Sequence, residues 1–269
     1  AIQIDHGEMV VMRIERHGNG LRAGAVVDAK FSKQWVVGRS GIAILPDGRE
    51  VLLQPIPGGL TEGSPVRAEI LRTAMQESRG QYKRAKAKPV AADTELNEGP
   101  TLLAEIEASG ADLIMASAHD EDQLGAYGWH EAIEQAETGR VEFDGGSLII
   151  TPTPAMTVID VDGPLAPMEL AKRAAQEIGI ALTKLDVSGN IGVDFPTLEA
   201  KADRNAVAQV FDDHMTTNCE RTAINGFGFM QIVSRKTRRS IVEIMQSDRS
   251  TNLALQILRQ AERDRGTRE

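Results

Sequence analysis

The hydrophobic pattern of this chain changes its period part-way along, and the two stretches cannot belong to one type of layer. Up to about residue 78 the apolar residues fall in short runs: MVVMRIER, AVVDAKF, QWVVG, GIAIL, REVLLQP and PVRAEILRT. Gly and Pro punctuate them, with turns at residues 46–48 and 57–59. Such spacing predicts a small β-barrel. Residues 76–100 turn polar and read as a connector carrying Arg79, Lys83, Arg84, Lys86 and Lys88. Beyond it, strand and helix patterns alternate. Helices are expected near 101–108 and 128–137, with a buried strand ADLIMA between them, then strands VEF and SLIIT joined at Gly145 and Gly146. A strand AMTVIDVD, a helix over 167–185, a strand NIGVDF and a helix over 196–214 follow, with Pro167 and Pro196 suited to first helical turns. Strands ERTAING and FMQIVSRK come next, and a closing amphipathic helix places Leu253, Leu255 and Leu258 on its apolar side. This half reads as α/β or α+β.

Composition narrows the partners. With 269 residues, 41% of them hydrophobic, the chain can bury a sizeable core. No run approaches the roughly 20 apolar residues of a membrane span, and the first residues lack a secretory-signal pattern. Cys219 stands alone, which excludes an internal disulfide and a Cys-rich zinc site and fits the cytoplasm. The net charge of −9 is opposite to that of most nucleic-acid binders, so such a role rests on local patches. Two exist, at residues 79–88 and at Arg235, Lys236, Arg238 and Arg239. The histidines, at 6, 17, 119, 130 and 214, form no HxH or HExxH pattern, and neither GxSxG nor a Walker A sequence occurs.

The chemistry-bearing residues lie in TVIDVDGP. Asp160 and Asp162 are two apart on a predicted strand, so both carboxylates point to one face near its C-terminal end. Adjacent anions repel unless a proton or cation bridges them, and magnesium or manganese prefers such oxygens. Asp194 ends the next predicted strand after one crossover helix, which would set it beside Asp160 at one sheet edge. Three carboxylates meeting there would hold a divalent metal that activates water. The ordinary alternatives are a turn role for Asp162 and a helix-capping role for Asp194. Nearby, Asn225 and Phe227 in NGFGF could approach and stack on a base, although Phe227 and Phe229 also suit a core. Lys172, Lys184, Lys201, Arg204 and Arg221 could contact phosphates.

The run GGSLIITPTPAMTVIDVDGP, followed by NIGVDFPTL and ERTAINGFGFMQIVSRK, resembles the catalytic region of the ribonuclease E/G family over residues 139–240. The resemblance implies an OB-like RNA-binding barrel within residues 1–88, an RNase H-like segment over 89–138 and a DNase I-like catalytic α/β domain over 139–269. It implies an endoribonuclease that cuts single-stranded RNA and leaves 5′-phosphate ends, with magnesium, or manganese in its place, held by Asp160 and Asp194. Asp162 stands where the family has asparagine. RNA contacts are expected from Lys83, Arg84, Lys86, Lys184, Arg204, Arg221, Asn225, Phe227, Arg235 and Lys236. The family's barrel aromatics fall at aliphatic positions here, near Ile44 and Leu52 or Leu53, so stacking on single-stranded RNA is expected either to be poor or to move to Phe31 or Trp35. The connector is too short for the family's 5′-monophosphate sensor, and its cysteine-based zinc link is missing, as in a minimal member. A noncatalytic RNA-binding protein of the same fold, and a phosphodiesterase acting on DNA or a small nucleotide, are the competing readings. No oligomeric state follows from the sequence.

Overall fold

The computed structural model describes residues 1–16, 20–76, 82–117 and 120–264; Arg79, His17 and His119 therefore lie outside the described residues. The chain divides into two compact units, one built from Ala1–Ile14, Met115–Arg235 and Arg239 onward, the other from Glu15–Ile114 and Lys236–Arg238. The opening hairpin, β1 (Ile2–Asp5) and β2 (Glu8–Met12), groups with the first unit; Met12 is fully buried in that unit's core. The sequence pattern instead groups these first strands with the barrel over residues 1–88.

The second unit is the barrel. Its strands are β3 (Val26–Val36), β4 (Ser40–Ile44), β5 (Glu50–Leu53) and β6 (Pro65–Arg72), then a short ribbon of β7 (Met75–Gln76) and β8 (Tyr82–Lys83), and finally β9 (Ala85–Pro89). The closed order is β3-β4-β5-β9-β6, so all five strands are paired on both sides. Period-two alternation buries Val66, Ala68 and Ile70 on β6, and Phe31, Ala43, Val51, Leu53, Ala85 and Ala87 complete the interior. The Phe31 ring occupies the space a side chain at Gly41 would need, which is how an aromatic fits inside so narrow a barrel. Helix α1 (Leu102–Ala108) also belongs to this unit and begins where expected, with the Thr101 hydroxyl accepting from the Ala104 N–H at 3.1 Å. The expected strand ADLIMA is irregular instead. Leu113, Ile114 and Met115 are 41%, 77% and 73% exposed, and no strand among the described residues pairs with them. An apolar run becomes a strand only where an edge accepts its backbone hydrogen bonds.

The first unit continues with α2 (Gln123–Ala126), α3 (Trp129–Thr138), β10 (Arg140–Phe143), β11 (Gly146–Pro152), β12 (Thr157–Asp162), α4 (Pro167–Lys184), β13 (Asn190–Asp194), α5 (Lys201–His214), β14 (Cys219–Arg221), β15 (Phe229–Ser234), α6 (Ile241–Ser247) and α7 (Arg249–Arg263). Its sheet has the order β10-β11-β12-β13-β15-β14, and only the β12–β13 pair is parallel. One face carries Val141, Leu148, Ile150, Ile159, Ile191, Val193, Met230 and Ile232, all buried in a core shared with α4 (Ala171, Ala174, Ile178, Leu182) and α5 (Val207, Phe211). The hairpin turn is the pair Asp144–Gly145, since Phe143 already faces Gly146. Strand β14 covers only the start of ERTAING.

Two helices depart from expectation. Helix α5 starts at Lys201, not at Pro196, because residues 196–200 form a loop that buries Leu198 and whose Leu198 and Glu199 carbonyls accept from Arg204, each at 2.7 Å. Helix α7 is amphipathic with its polar side inward. Asn252 donates to the Ile244 and Met245 carbonyls at 2.8 and 2.9 Å, Gln256 donates to Glu137, and Arg259 reaches Asp122 at 2.8 Å while lying 5.5 Å from the Trp129 ring centroid. Leu253, Leu255, Ile257 and Leu258 are left exposed.

Candidate active site on the open face of the sheet

Asp160 and Asp194 are direct partners in the parallel β12–β13 register. Neighbouring strands lie about 4.8 Å apart and paired residues share a face, so the two carboxylates leave the sheet side by side. Both are exposed. Each is at the carboxyl end of a parallel strand joined by a crossover helix, the position where α/β sheets gather ligands. The flanking core residues Ile159 and Val193 point to the opposite face and anchor the pair.

Asp162 is two residues on, about 6.6 Å along the strand. It faces Ser147 and is also exposed. Tight nesting fixes it: a Cβ at Gly163 would stand 2.6 Å from the Gly145 carbonyl oxygen, and one at Gly146 would stand 2.8 Å from the Asp162 carbonyl oxygen. The GGS and DG signatures thus record two loops packed backbone to backbone. The expected cluster of three metal-holding carboxylates is not drawn together: among the described residues no group of three His, Cys, Asp or Glu side chains is close enough to hold an ion. The pair Asp160 and Asp194 is a donor set of hard oxygens open to solvent, which suits a magnesium ion that keeps most of its water.

A turn closes one flank. Asn225 Oδ1 accepts from the N–H groups of Phe227 at 2.8 Å and Phe229 at 3.1 Å, and the Phe195 N–H donates to the Gly228 carbonyl at 3.1 Å. Gly228 has φ +93°, and a Cβ there would collide with the Phe195 carbonyl oxygen. The clamped turn presents Phe227 to solvent at 85% exposure. Phe229 faces Asp194, and its ring lies over Gly192, where a Cβ would meet it at 2.7 Å. On the other flank, Arg140, Ile149 and Asp160 form one cross-strand row. Arg140 pairs with Glu142, and both Glu142 and Asp162 raise its pKa. It is the cationic side chain of this face that reading the sequence missed; hairpin register was the signal that could have found it.

Several expected RNA contacts lie elsewhere in this unit or are committed, and others belong to the barrel unit. Lys184 ends α4, which starts at the aspartate edge and runs about 27 Å away from it. Arg204 secures the 196–200 loop, and Arg221 forms a two-pronged pair with Asp212. Asn225 spends its oxygen on the turn. Arg235 is exposed but follows the end of β15 opposite Phe229, at the other edge of the sheet. Arg238 pairs with Glu105 at 2.8 Å and Arg239 donates to the Glu243 carbonyl. Lys83, Arg84, Lys86 and Lys236 belong to the barrel unit. Cys219 is half-buried, and burial pushes its thiol pKa up, which suits packing rather than nucleophilic attack.

Residues 81–239, more than half of the chain, match the ribonuclease E/G family. The chain belongs to this family. Among curated relatives, ribonuclease G of Haemophilus influenzae is 30% identical over 132 residues, a segment covering 44% of this chain and 27% of that protein. The matched segment is thus about a quarter of the relative's length. No helix among the described residues is long and apolar enough to cross a membrane.

Proposed function

We propose that this chain is a cytoplasmic, metal-dependent endoribonuclease that cleaves single-stranded RNA and leaves 5′-phosphate and 3′-hydroxyl ends. The observation that carries the reading is the in-register pairing of Asp160 with Asp194 on the exposed face of the sheet, in a chain of the ribonuclease E/G family. A divalent cation, magnesium or manganese, supplies the chemistry of the site when bound: it stabilises charge on the phosphoryl oxygens and makes an attacking water more acidic. Asp160 and Asp194 would hold it. Asp162, one strand repeat further on, orients water on the same face. Phe227 takes a base by stacking, and Arg140 meets the phosphate chain at the far end of the row. Water attacks phosphorus and the bond to the 3′ oxygen breaks, so the phosphate stays with the downstream fragment. The alternative of a noncatalytic RNA-binding protein rests on the departures of this sequence from the family pattern in the sensor, the barrel aromatics and the zinc link, with Asp162 in place of asparagine beside them. Single-stranded RNA labelled at its 5′ end, incubated with magnesium, manganese or EDTA, decides between them. Internal cuts with 5′-phosphate ends that vanish in EDTA support the proposal, and intact RNA with either metal overturns it.

A further inference from the structure

Helix α7 turns to solvent the side that a helix on a folded core ordinarily buries. Leu253, Ile257 and Leu258 are 59%, 59% and 57% exposed, and Leu255 is 43% exposed. At about 100° per residue, Ser250, Leu253, Ala254, Ile257, Leu258 and Ala261 share one outward arc, and no charged residue falls within it. The helix is not free to roll and hide this arc. Its inward side is held along the whole length: Asn252 donates to the Ile244 and Met245 carbonyls, Gln256 to Glu137, Arg259 to Asp122 at 2.8 Å and Arg263 to the Asp120 carbonyl at 2.9 Å. Burying the leucines by rotation would give up every one of these bonds.

The arc fits a second copy of itself. Ala254 and Ala261 lie two turns apart and leave shallow places between larger side chains, which the aliphatic side chains of a facing helix can enter. The charges at the two ends are complementary. Arg249 opens the helix and Asp264 follows its last residue; both are exposed, and neither side chain has an ion pair among the described residues. Both lie on the Gln260 flank of the stripe, and in an antiparallel pair like flanks meet. An antiparallel copy centred on Ile257 therefore brings each Arg249 to the partner's Asp264, with the helix dipoles opposed. A lipid surface is the poorer match. Arg259 and Arg263 are turned inward and the chain carries a net charge of −9, whereas a helix lying on an anionic membrane exposes a basic flank. The exposed aliphatic side chains form a patch of roughly 400 Å². Two such faces bury about 800 Å² together, the size of a weak, concentration-dependent contact.

We propose that the outward face of α7 is a self-association surface, on which a second copy of this chain docks antiparallel through Leu253, Ile257 and Leu258. The surface uses no residue of the aspartate site, and it does not depend on the ribonuclease reading. An interface of this size gives a dissociation constant on the order of 10–100 μM.

Sedimentation velocity of the full chain from about 1 to 300 μM reads the association, and the average mass is expected to rise from monomer towards dimer across that range. Ile257→Asp sets two carboxylates against each other at the centre of the pair. It should weaken the dimer at least about tenfold and keep the parent's Tm in dilute solution, since position 257 faces solvent in the monomer. Arg249→Glu and Asp264→Arg both suit the helix dipole, so α7 stays folded. Each alone should weaken the dimer roughly three- to tenfold, and the two together should restore it to within about threefold of the parent. A parent that stays monomeric throughout, or an Ile257→Asp protein that dimerises like the parent, overturns the proposal. So does a double reversal that dimerises no better than the single ones. A monomer that co-sediments with phosphatidylglycerol vesicles overturns it in favour of a lipid surface.

Discussion

Replacing Asn225 by Ala tests whether the turn beside Asp194 is a scaffold or a ligand contact. The carboxamide oxygen accepts from the Phe227 and Phe229 N–H groups at 2.8 and 3.1 Å. A net hydrogen bond contributes about 0.5–1.5 kcal/mol, and in this exposed turn water replaces part of what is lost, so the expected loss of stability is about 1–2 kcal/mol. For a unit of this size that lowers Tm by roughly 2–8 °C. Asn225→Asp keeps the acceptor and should lose less than about 0.5 kcal/mol when screened by salt. Urea denaturation of the three proteins, followed by circular dichroism, supplies the numbers. RNA affinity of the alanine variant should fall no further than that of Phe227→Ala, since Asn225 acts through the residue it positions. Full stability of Asn225→Ala, or equal losses for Ala and Asp, would refute the scaffold argument.

Gly228→Ala should cost at least about 2 kcal/mol, read by the same denaturation, because a left-handed φ and a collision with the Phe195 carbonyl oxygen add together. Arg204→Met should lose about 1.5–3 kcal/mol while the salt dependence of RNA binding stays unchanged, since its guanidinium serves the Leu198 and Glu199 carbonyls. Phe227→Leu should weaken RNA binding roughly 5- to 150-fold in anisotropy with little change in Tm. Asp122 is subject to desolvation, which acts upward, but the Gly125 N–H and the Arg259 and Arg263 guanidinia bring its pKa down to about 2 from the ordinary 3.8. A lowered carboxylate pKa stabilises the fold above the unfolded value and is lost as pH falls through the folded one. With the side chain 30% exposed, about 1–2 kcal/mol separates wild type from Asp122→Asn at pH 6, and that gap should close between pH 4 and pH 2.

Where periodicity and turn chemistry act locally, the sequence foretold the structure. Pro167 does open a long helix, NIGVDF does end on Asp194, and the strand with TVIDVD does lie beside it, because each signal is satisfied by the element itself or its nearest neighbour. The misses share a different cause. ADLIMA has strand composition but meets no edge. Pro196 has the right chemistry for a first turn, yet the hydrogen bonds that Arg204 makes to carbonyls two and three residues beyond it hold that stretch as a loop. Arg204, Arg221 and Asn225 look like free polar groups in one dimension, whereas their partners are set by tertiary contacts. Helix α7 shows the limit most clearly: its leucines marked an apolar side, but Asn252 and Arg259 supply the inward contacts, and hydrophobic patterning alone cannot rank a hydrogen-bonded face above an apolar one. Arg140 was hidden because its place on the open face depends on strand register across a hairpin.

The central claim is that Asp160 and Asp194 form the catalytic pair. Its most direct test is the rate of internal RNA cleavage by Asp160→Asn and Asp194→Asn proteins at saturating magnesium, with melting curves to confirm their fold. The pairing predicts that each variant stays folded, still binds RNA and loses cleavage by a factor of at least about 100, since each removes a hard anionic oxygen from the same donor pair. Cleavage at the wild-type rate by either folded variant would contradict the assignment.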